Sequence, residues 1–266
     1  CRRSAGRSTG TGRLSEAPDD LRQMAVRVLQ TAEPRAKAKA ARKLYRDFQA
    51  GRLGWPVSWP SADVPADPAR PARPELVAPG RTPRRRLSSV EGRIALLHAV
   101  AHIEFNAIDL AFDMAVRFAG DTSLGEAQRD AFLADWIAVG DDEARHFGLI
   151  ADRLESLGAS YGDLPAHDGL WEAARATQHD LAARLAIAPL VLEARGLDVT
   201  PGMIDRLNSA GDTISAGILG VIYSDEIGHV ATGMRWFRQV CAGAQEAPEQ
   251  CYHRLVQQYY RGSLKP

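Results

Sequence analysis

The sequence has little cysteine and no long apolar run. Cys1, Cys241 and Cys251 are the three cysteines in 266 residues, and no two of them form a Cys-x-x-Cys pair. Such a sparse and odd set argues against a disulfide framework and against a zinc knuckle. The sequence shows neither an uninterrupted apolar stretch of about 18 residues nor a charged segment that leads into an apolar core. We therefore expect a soluble protein of the cytoplasm with no membrane partner.

Signals for strands and for nucleotide binding are also missing. The chain has no sustained alternation of polar and apolar residues, and it has no glycine loop of the kind that cradles phosphate. Its 45% hydrophobic and 25% charged residues are ordinary for a globular protein. A chain of this length can bury a core of several long helices. The sequence thus predicts an all-α protein.

Charge is balanced overall but divided between two parts of the chain. Residues 1–90 hold 19 Lys and Arg against 8 Asp and Glu, whereas residues 91–266 hold 14 against 25, so the parts carry net charges of +11 and −11. The densest basic cluster is Arg84, Arg85 and Arg86. Two interpretations follow: a basic arm that lies across its own acidic helical body, or an arm that faces nucleic acid. The charge pattern leaves both open.

Composition divides the chain into four segments. Residues 1–15 are rich in Ser, Gly, Thr and Arg, which is typical of disorder or of vector-derived sequence. Residues 16–87 combine a helix or helix pair, from about Pro18 to Ala50, with an extended strap that holds eight prolines between residues 51 and 87. Residues 88–243 are almost wholly of helical pattern. Residues 244–266 contain a last helix, from Pro248 to Tyr260, outside the main body.

Residues 88–243 predict a bundle of four long helices. The first begins at Ser88 or Ser89, either of which can cap it, and ends near Phe118. The others are expected over residues 124–157, 170–195 and 212–242, with a break near 196–201 where Pro201 begins a short helix. Pro189 should kink the third helix, because proline removes a helical hydrogen bond. Long helices with short breaks favour a four-helix bundle.

Each of the four helices carries a glutamate within its apolar stripe. At about 3.6 residues per turn, Glu104 falls on the same face as Val100, Ala101 and Ile108. The third helix places Glu193 in this way. The second and fourth helices each place a Glu-x-x-His pair, Glu143 with His146 on the second and Glu226 with His229 on the fourth. A buried carboxylate is costly unless it is paired or binds metal. The pattern therefore points to a shared internal site.

This set of residue types matches a dinuclear metal site. One glutamate from each of two helices, with Glu-x-x-His from each of the other two, is the ligand set of carboxylate bundles that hold two iron or manganese ions. Four carboxylates neutralise two divalent ions, and the set suits iron or manganese better than the closed tetrahedral sites of zinc. We expect two metal ions, iron first and manganese as the alternative. A buried network of His–Glu hydrogen bonds without metal is the competing interpretation.

Three further residues lie beside the predicted ligands. Asp142 and Asp225 each precede the glutamate of a Glu-x-x-His pair. They are expected to accept the second ring proton of the histidine on the opposite helix, Asp142 from His229 and Asp225 from His146. Solvated surface aspartates are the alternative. Tyr223 lies one turn before the glutamate of the fourth helix and is a candidate catalytic residue, with a core tyrosine as the alternative.

Four stretches resemble a known family over about residues 20–240. They are HAVAHIEFNAID (98–109), PAHDGLW (165–171), LEARGLDVTPG (192–202) and DEIGHV (225–230). They look like the bacterial ferritin-like family catalogued as domain of unknown function 455. More distantly, the segments at 143–146 and 193–195 are similar to parts of the di-iron tRNA hydroxylase that acts on isopentenyl-adenosine. The resemblance implies a ferritin-like fold and a di-iron site whose six ligand positions coincide with the residues given above.

Two functions are compatible with this site. The first is an oxygen-activating oxidase or hydroxylase that uses dioxygen as co-substrate, takes electrons from an external donor, and acts on a small-molecule or RNA-borne substrate. The RNA option follows from the hydroxylase resemblance, from which this sequence departs in its long basic extension and its loops. The alternative is a ferroxidase-like iron-binding protein, or a metal-dependent structural protein, without an organic substrate. The sequence leaves a homodimer open.

Overall fold

The computed structural model describes residues 20–56, 64–78, 81 and 86–262. The predicted disorder of residues 1–15 and the basic residues Arg84 and Arg85 lie outside this part of the chain. The elements, in chain order, are α1 (Leu21–Leu29), α2 (Pro34–Gln49), α3 (Val90–Phe118), α4 (Glu126–Ser156), α5 (Gly169–Ala176), α6 (Leu181–Ile187), a π-helical segment (Ala188–Glu193), α7 (Ala194–Ser209), α8 (Thr213–Gly243) and α9 (Pro248–Tyr259).

The described residues form an all-α helical bundle, as the sequence predicts. Two isolated bridges are the β-type pairings in this part of the chain. Helix α3 packs most extensively on α4, and α8 packs on α4 and on the continuous stretch formed by α6, the π segment and α7. Helices α1 and α2 lie against α3 and α4, and α9 contacts α6 and α8. Four long helical rods enclose the main apolar core: α3 is the first, α4 the second, the stretch from α6 to α7 the third and α8 the fourth.

Local sequence signals explain where two of the core helices begin. The Ser89 hydroxyl accepts the Gly92 amide proton at 3.1 Å, so the predicted cap of α3 is confirmed at Ser89. Asp212 caps α8 in the same manner by accepting the Ser215 amide at 3.0 Å. Such caps satisfy amide groups that the first helical turn leaves without partners. These contacts fix the start of two helices that carry predicted ligands.

Helix α3 is apolar and long enough, by length and composition alone, to cross a membrane. However, 72% of its most apolar window is buried inside the protein. A helix that is apolar on nearly all sides is also what the centre of a bundle requires. The described structure thus accounts for this helix as part of the core, and the predicted cytoplasmic location stays a prediction.

The third helix differs from its predicted bounds. A single helix over 170–195 is wrong, because α5 ends at Ala176 and a new helix begins only at Leu181. The predicted break near residues 196–201 is also wrong, since α7 continues through it with Pro201 inside the helix. The distortion predicted at Pro189 is present and takes the form of the π-helical segment. The chain absorbs one extra residue per turn there, as π segments do.

The described part of the strap lies against the bundle. Residues 64–78 form no helix, and the Ala69 amide donates to the Leu29 carbonyl at 2.8 Å. Two residues earlier in the strap, Asp67 accepts the indole proton of Trp171 at 2.7 Å. Basic residues of the N-terminal part also pair with acids of the bundle, as Arg35 does with Asp152 at 2.8 Å. In the described residues, this basic part contacts its own acidic body.

The most deeply buried of these ion pairs joins Lys37 of α2 to Asp109 of α3. Both side chains are fully buried, and the Lys37 ammonium also donates to the Ala69 carbonyl at 3.1 Å. Burial lowers the pKa of Lys37 and raises the pKa of Asp109 to about 6, against the attraction of the two charges. One ammonium thus joins α2, α3 and the strap.

Removing this ammonium should destabilise the protein strongly. We expect Lys37→Met to lower the free energy of unfolding by about 3–5 kcal/mol, because Asp109 then keeps a buried charge without its partner. Urea denaturation measures the change. Lys37→Met combined with Asp109→Leu should recover most of the loss, since both charges are then absent.

The matched control is Lys43→Met on the same helix. Lys43 pairs with Asp47 but is 61% exposed, so its removal should change stability little. Equal losses for Lys37→Met and Lys43→Met would contradict the role assigned to the buried pair.

Candidate metal centre

Four helical rods bring the six predicted ligands into the interior of the bundle. Glu104 comes from α3 and Glu193 ends the π segment; the two pairs, Glu143 with His146 and Glu226 with His229, come from α4 and α8. Ligand atoms of Glu104, Glu143, His146 and Glu226 all lie within 4.8 Å of one another. This buried cluster of carboxylates and imidazole could hold a metal ion.

Glu143 occupies the middle of the cluster. Its Oε2 lies 3.5 Å from Nδ1 of His146, and its Oε1 lies 3.1 Å from Nδ1 of His229. On one side, Glu104 Oε2 is 3.2 Å from the same nitrogen of His146; on the other, Glu226 Oε2 is 3.6 Å from that of His229. The cluster therefore has two similar halves, each with one imidazole and one outer glutamate, that share a central carboxylate.

Atoms from all six residues are buried without a hydrogen-bond partner among the described residues. There are seven of them: Glu104 Oε2, Glu143 Oε1 and Oε2, His146 Nδ1, Glu193 Oε2, Glu226 Oε2 and His229 Nδ1. Several lie close together, but their geometry is not that of a hydrogen bond. Proteins rarely leave buried polar atoms unsatisfied, since each one costs about 1–3 kcal/mol. Convergent atoms of this kind fit the coordination of cations.

The electrostatics of the cluster indicate a competition between protons and metal. Burial raises the pKa of Glu104 to about 8 and also raises the pKa of Glu193. Burial acts in the same direction on Glu143, but the two imidazoles outweigh it and lower that pKa. Burial would lower the pKa of His146, yet Glu104 and Glu143 raise it to about 11. Without metal the cluster therefore retains protons, which a bound cation must displace.

Two aspartates contact the outer edges of the imidazoles. Asp225 Oδ2 lies 2.9 Å from Nε2 of His146, and Asp142 Oδ2 lies 3.5 Å from Nε2 of His229. Each aspartate thus faces the histidine of the opposite helix. A carboxylate that accepts the Nε2 proton leaves Nδ1 free to act as a ligand on the inner side.

Tyr223 is half-buried on α8. No hydrogen bond joins its hydroxyl to a cluster residue in the part of the chain that the structure describes. Its catalytic role therefore stays a prediction.

A shallow groove leads from the surface to the outer side of the cluster. It has a volume of about 360 Å³ and lies between α4 and α8. Its lining consists of Asp135, Ala138, Val139, Asp142, Ser224, Asp225, Gly228, His229 and Thr232. The groove reaches His229 and both outer aspartates, on the outer side of the imidazoles.

The comparisons with known proteins agree with the resemblance seen in the sequence. The model of a family described as "Protein of unknown function (DUF455)" matches residues 30–266. The chain belongs to this family. An uncharacterized protein of Haemophilus influenzae is 39% identical over 236 residues, which cover 87% of this chain and 81% of that protein. No solved structure gives a significant match.

These comparisons bear on the family of this DUF455 protein and leave its chemistry open. The similarity to the di-iron tRNA hydroxylase is tested by none of them and stays a prediction. The family description names no substrate or activity.

One feature of the site that sequence patterns miss is the fit between the π segment and α8. A Cβ atom on Gly233 would lie 2.5 Å from Cβ of Pro189, closer than two such carbons can approach. Gly233 thus gives Pro189 room to sit against α8, and four residues later Glu193 enters the cluster. The sequence signal for this fit is that Gly233 follows His229 by four residues, which places it on the same face of α8.

We expect Gly233→Ala to displace the π segment of the DUF455 protein. The added methyl group overpacks the contact with Pro189, so the free energy of unfolding should fall by about 1–3 kcal/mol. Urea denaturation measures this loss. Gly217→Ala on the same helix is the control, because nothing lies within 4 Å of the position that its methyl group would take and alanine favours helix by up to about 1 kcal/mol. Equal effects of the two substitutions would contradict the close fit.

Proposed function

We propose that this DUF455 protein is a dinuclear metal enzyme that activates dioxygen and oxidises an organic substrate. Iron is the favoured metal, with an iron–manganese pair as the alternative. Two observations support the proposal: six residues on four helical rods hold seven buried ligand atoms without hydrogen-bond partners among the described residues, and ligand atoms of Glu104, Glu143, His146 and Glu226 lie within 4.8 Å of one another. Buried polar atoms without partners are costly, and metal ions would supply partners for them.

The donor set fits two redox-active divalent ions. Four carboxylates balance the charge of two such ions, and two imidazoles supply one nitrogen donor to each half of the cluster. When bound, the metals would supply the redox chemistry for dioxygen, with electrons from an external donor. The oxygen-rich set differs from the closed thiolate and imidazole sites of structural zinc.

Residues of this chain would hold the two ions in defined places. Glu143 lies between the two imidazoles and would contribute to both halves of the site. Glu104 and Glu226 face the outer side of each half, and Glu193 adds a further oxygen donor. The ligand side chains lie in a largely buried part of the bundle, where electrostatic interactions are stronger than in water.

A second candidate function is oxidation of iron without an organic substrate. The groove between α4 and α8 favours it, because three carboxylates line this route to the centre: those of Asp135, Asp142 and Asp225. Carboxylates along a path attract divalent cations. The RNA-borne substrate of the first candidate is inferred from the sequence resemblance.

Anaerobic loading with Fe(II) followed by an oxygen pulse tests the proposal. We expect about two iron ions per chain, and rapid oxygen consumption with reductant present. Glu143→Ala combined with Glu226→Ala should abolish iron binding, because it removes the central and one outer carboxylate. Iron content by elemental analysis and oxygen uptake by electrode are the readouts.

The control for this experiment removes two exposed acids, by Glu155→Ala combined with Glu249→Ala, and should leave the iron content unchanged. An iron content well below two per chain in the wild type would overturn the dinuclear site. Oxygen use that yields only ferric mineral would favour the second candidate function.

A further inference from the structure

The two Glu-x-x-His helices repeat one pattern with a single informative difference. Helix α4 has Asp-Glu-Ala-Arg-His at residues 142–146, and α8 has Asp-Glu-Ile-Gly-His at residues 225–229. The aspartates, glutamates and histidines correspond, but the position of Arg145 on α4 is taken by Gly228 on α8. Gly228 lines the groove, and nothing lies within 4 Å of a Cβ placed there. Helix α4 therefore carries a guanidinium group at the position where α8 has no side chain.

The guanidinium of Arg145 joins both outer aspartates. Its Nη2 donates to Oδ1 of Asp142 at 3.2 Å and also donates to Oδ2 of Asp225. The same Oδ2 of Asp225 contacts Nε2 of His146, while the other oxygen of Asp142 faces His229. A single side chain thus contacts the carboxylates behind both predicted histidine ligands.

We infer that Arg145 is a positioning residue that holds Asp142 and Asp225 against the two histidines and so orients both imidazoles toward the metal ions. The inference rests on the proposed dinuclear site. It assigns to Arg145 a contribution to both halves of the centre at once, which neither aspartate can make alone.

The physical reason is the charge and exposure of the two carboxylates. The side chains of Asp142 and Asp225 are 39% and 29% exposed, so both can turn toward water. Without a cation between them they also repel each other across the groove. Arg145 removes that repulsion and supplies directed hydrogen bonds. The carboxylates of Asp142 and Asp225 then stay in place to accept the Nε2 protons of His229 and His146.

Two simpler roles of Arg145 make different predictions. If Arg145 only links α4 to α8 by its hydrogen bonds, its removal should lower stability without changing metal affinity. If Arg145 acts only as a positive charge near the metal site, it should oppose metal binding, and Arg145→Ala should bind metal more tightly. A positioning role predicts the opposite sign, because the histidines lose their orientation when Arg145 is removed. The direction of the change in metal affinity therefore separates the three.

The test is an anaerobic Co(II) titration of the apoprotein, followed by visible absorption, for Arg145→Ala, Arg145→Lys and Arg153→Ala. Arg153 is the matched control: it also lies on α4 and bonds to α8, at 2.8 Å to Asp212 and 3.0 Å to Ser215. Asp212 precedes Asp225 by 13 residues, or about 20 Å of helix. Urea denaturation of each apoprotein measures how much stability the two alanine variants lose.

We expect Arg145→Ala to weaken Co(II) binding by about tenfold or more, the usual result of disturbing the partners of metal-bound histidine, and to alter the visible bands. Arg145→Lys should bind more tightly than Arg145→Ala but less tightly than the wild type, because it keeps the charge without the planar geometry. This variant also decides the matter if Arg145→Ala does not fold. Arg153→Ala should keep the affinity and spectrum of the wild type.

Unchanged or tighter binding by a folded Arg145→Ala, or equal weakening by Arg153→Ala, would overturn the inference while the wild type still binds two ions. A wild type that binds no Co(II) would instead overturn the proposed function, and the inference with it.

Discussion

Four glutamate side chains meet inside an apolar bundle, and the rest of the structure depends on how their charge is compensated. An isolated carboxylate pays a large free-energy penalty for leaving water, and four together also repel one another. Two imidazoles on adjacent helices provide part of the compensation, with Glu143 between them. They leave seven ligand atoms without hydrogen-bond partners among the described residues. A metal ion bound by this cluster could complete the balance.

The surrounding fold holds these charges in place by further buried polar contacts. Lys37 joins α2, the strap and α3 through Asp109, which lies on the same helix as Glu104. The π segment rests on α8 at Gly233 and ends at the glutamate that the third rod contributes. The Lys37–Asp109 ion pair and the contact of the π segment with Gly233 both depend on close packing of the surrounding core. The bundle and the centre therefore depend on each other.

The helices and the candidate ligands could be predicted because their signals are local. Glu-x-x-His spacing places two side chains on one helical face, and Ser89 caps α3 by a contact three residues away. A break near residues 196–201 was predicted wrongly because proline and glycine usually end helices, whereas Pro201 lies inside α7. The break between Ala176 and Leu181 was missed because no proline or glycine marks it. The π segment depends on Gly233, 44 residues beyond Pro189. The contacts of Arg145 with Asp225 likewise arise only when α4 and α8 meet.

The most direct test of this account is anomalous X-ray diffraction from crystals of the iron-loaded protein, with data collected at the iron absorption edge. The account predicts two anomalous peaks about 3.5–4 Å apart, one beside Nδ1 of His146 and one beside Nδ1 of His229, with Glu143 between them. A single peak, or peaks away from these nitrogens in a crystal whose iron content is two per chain, would contradict it.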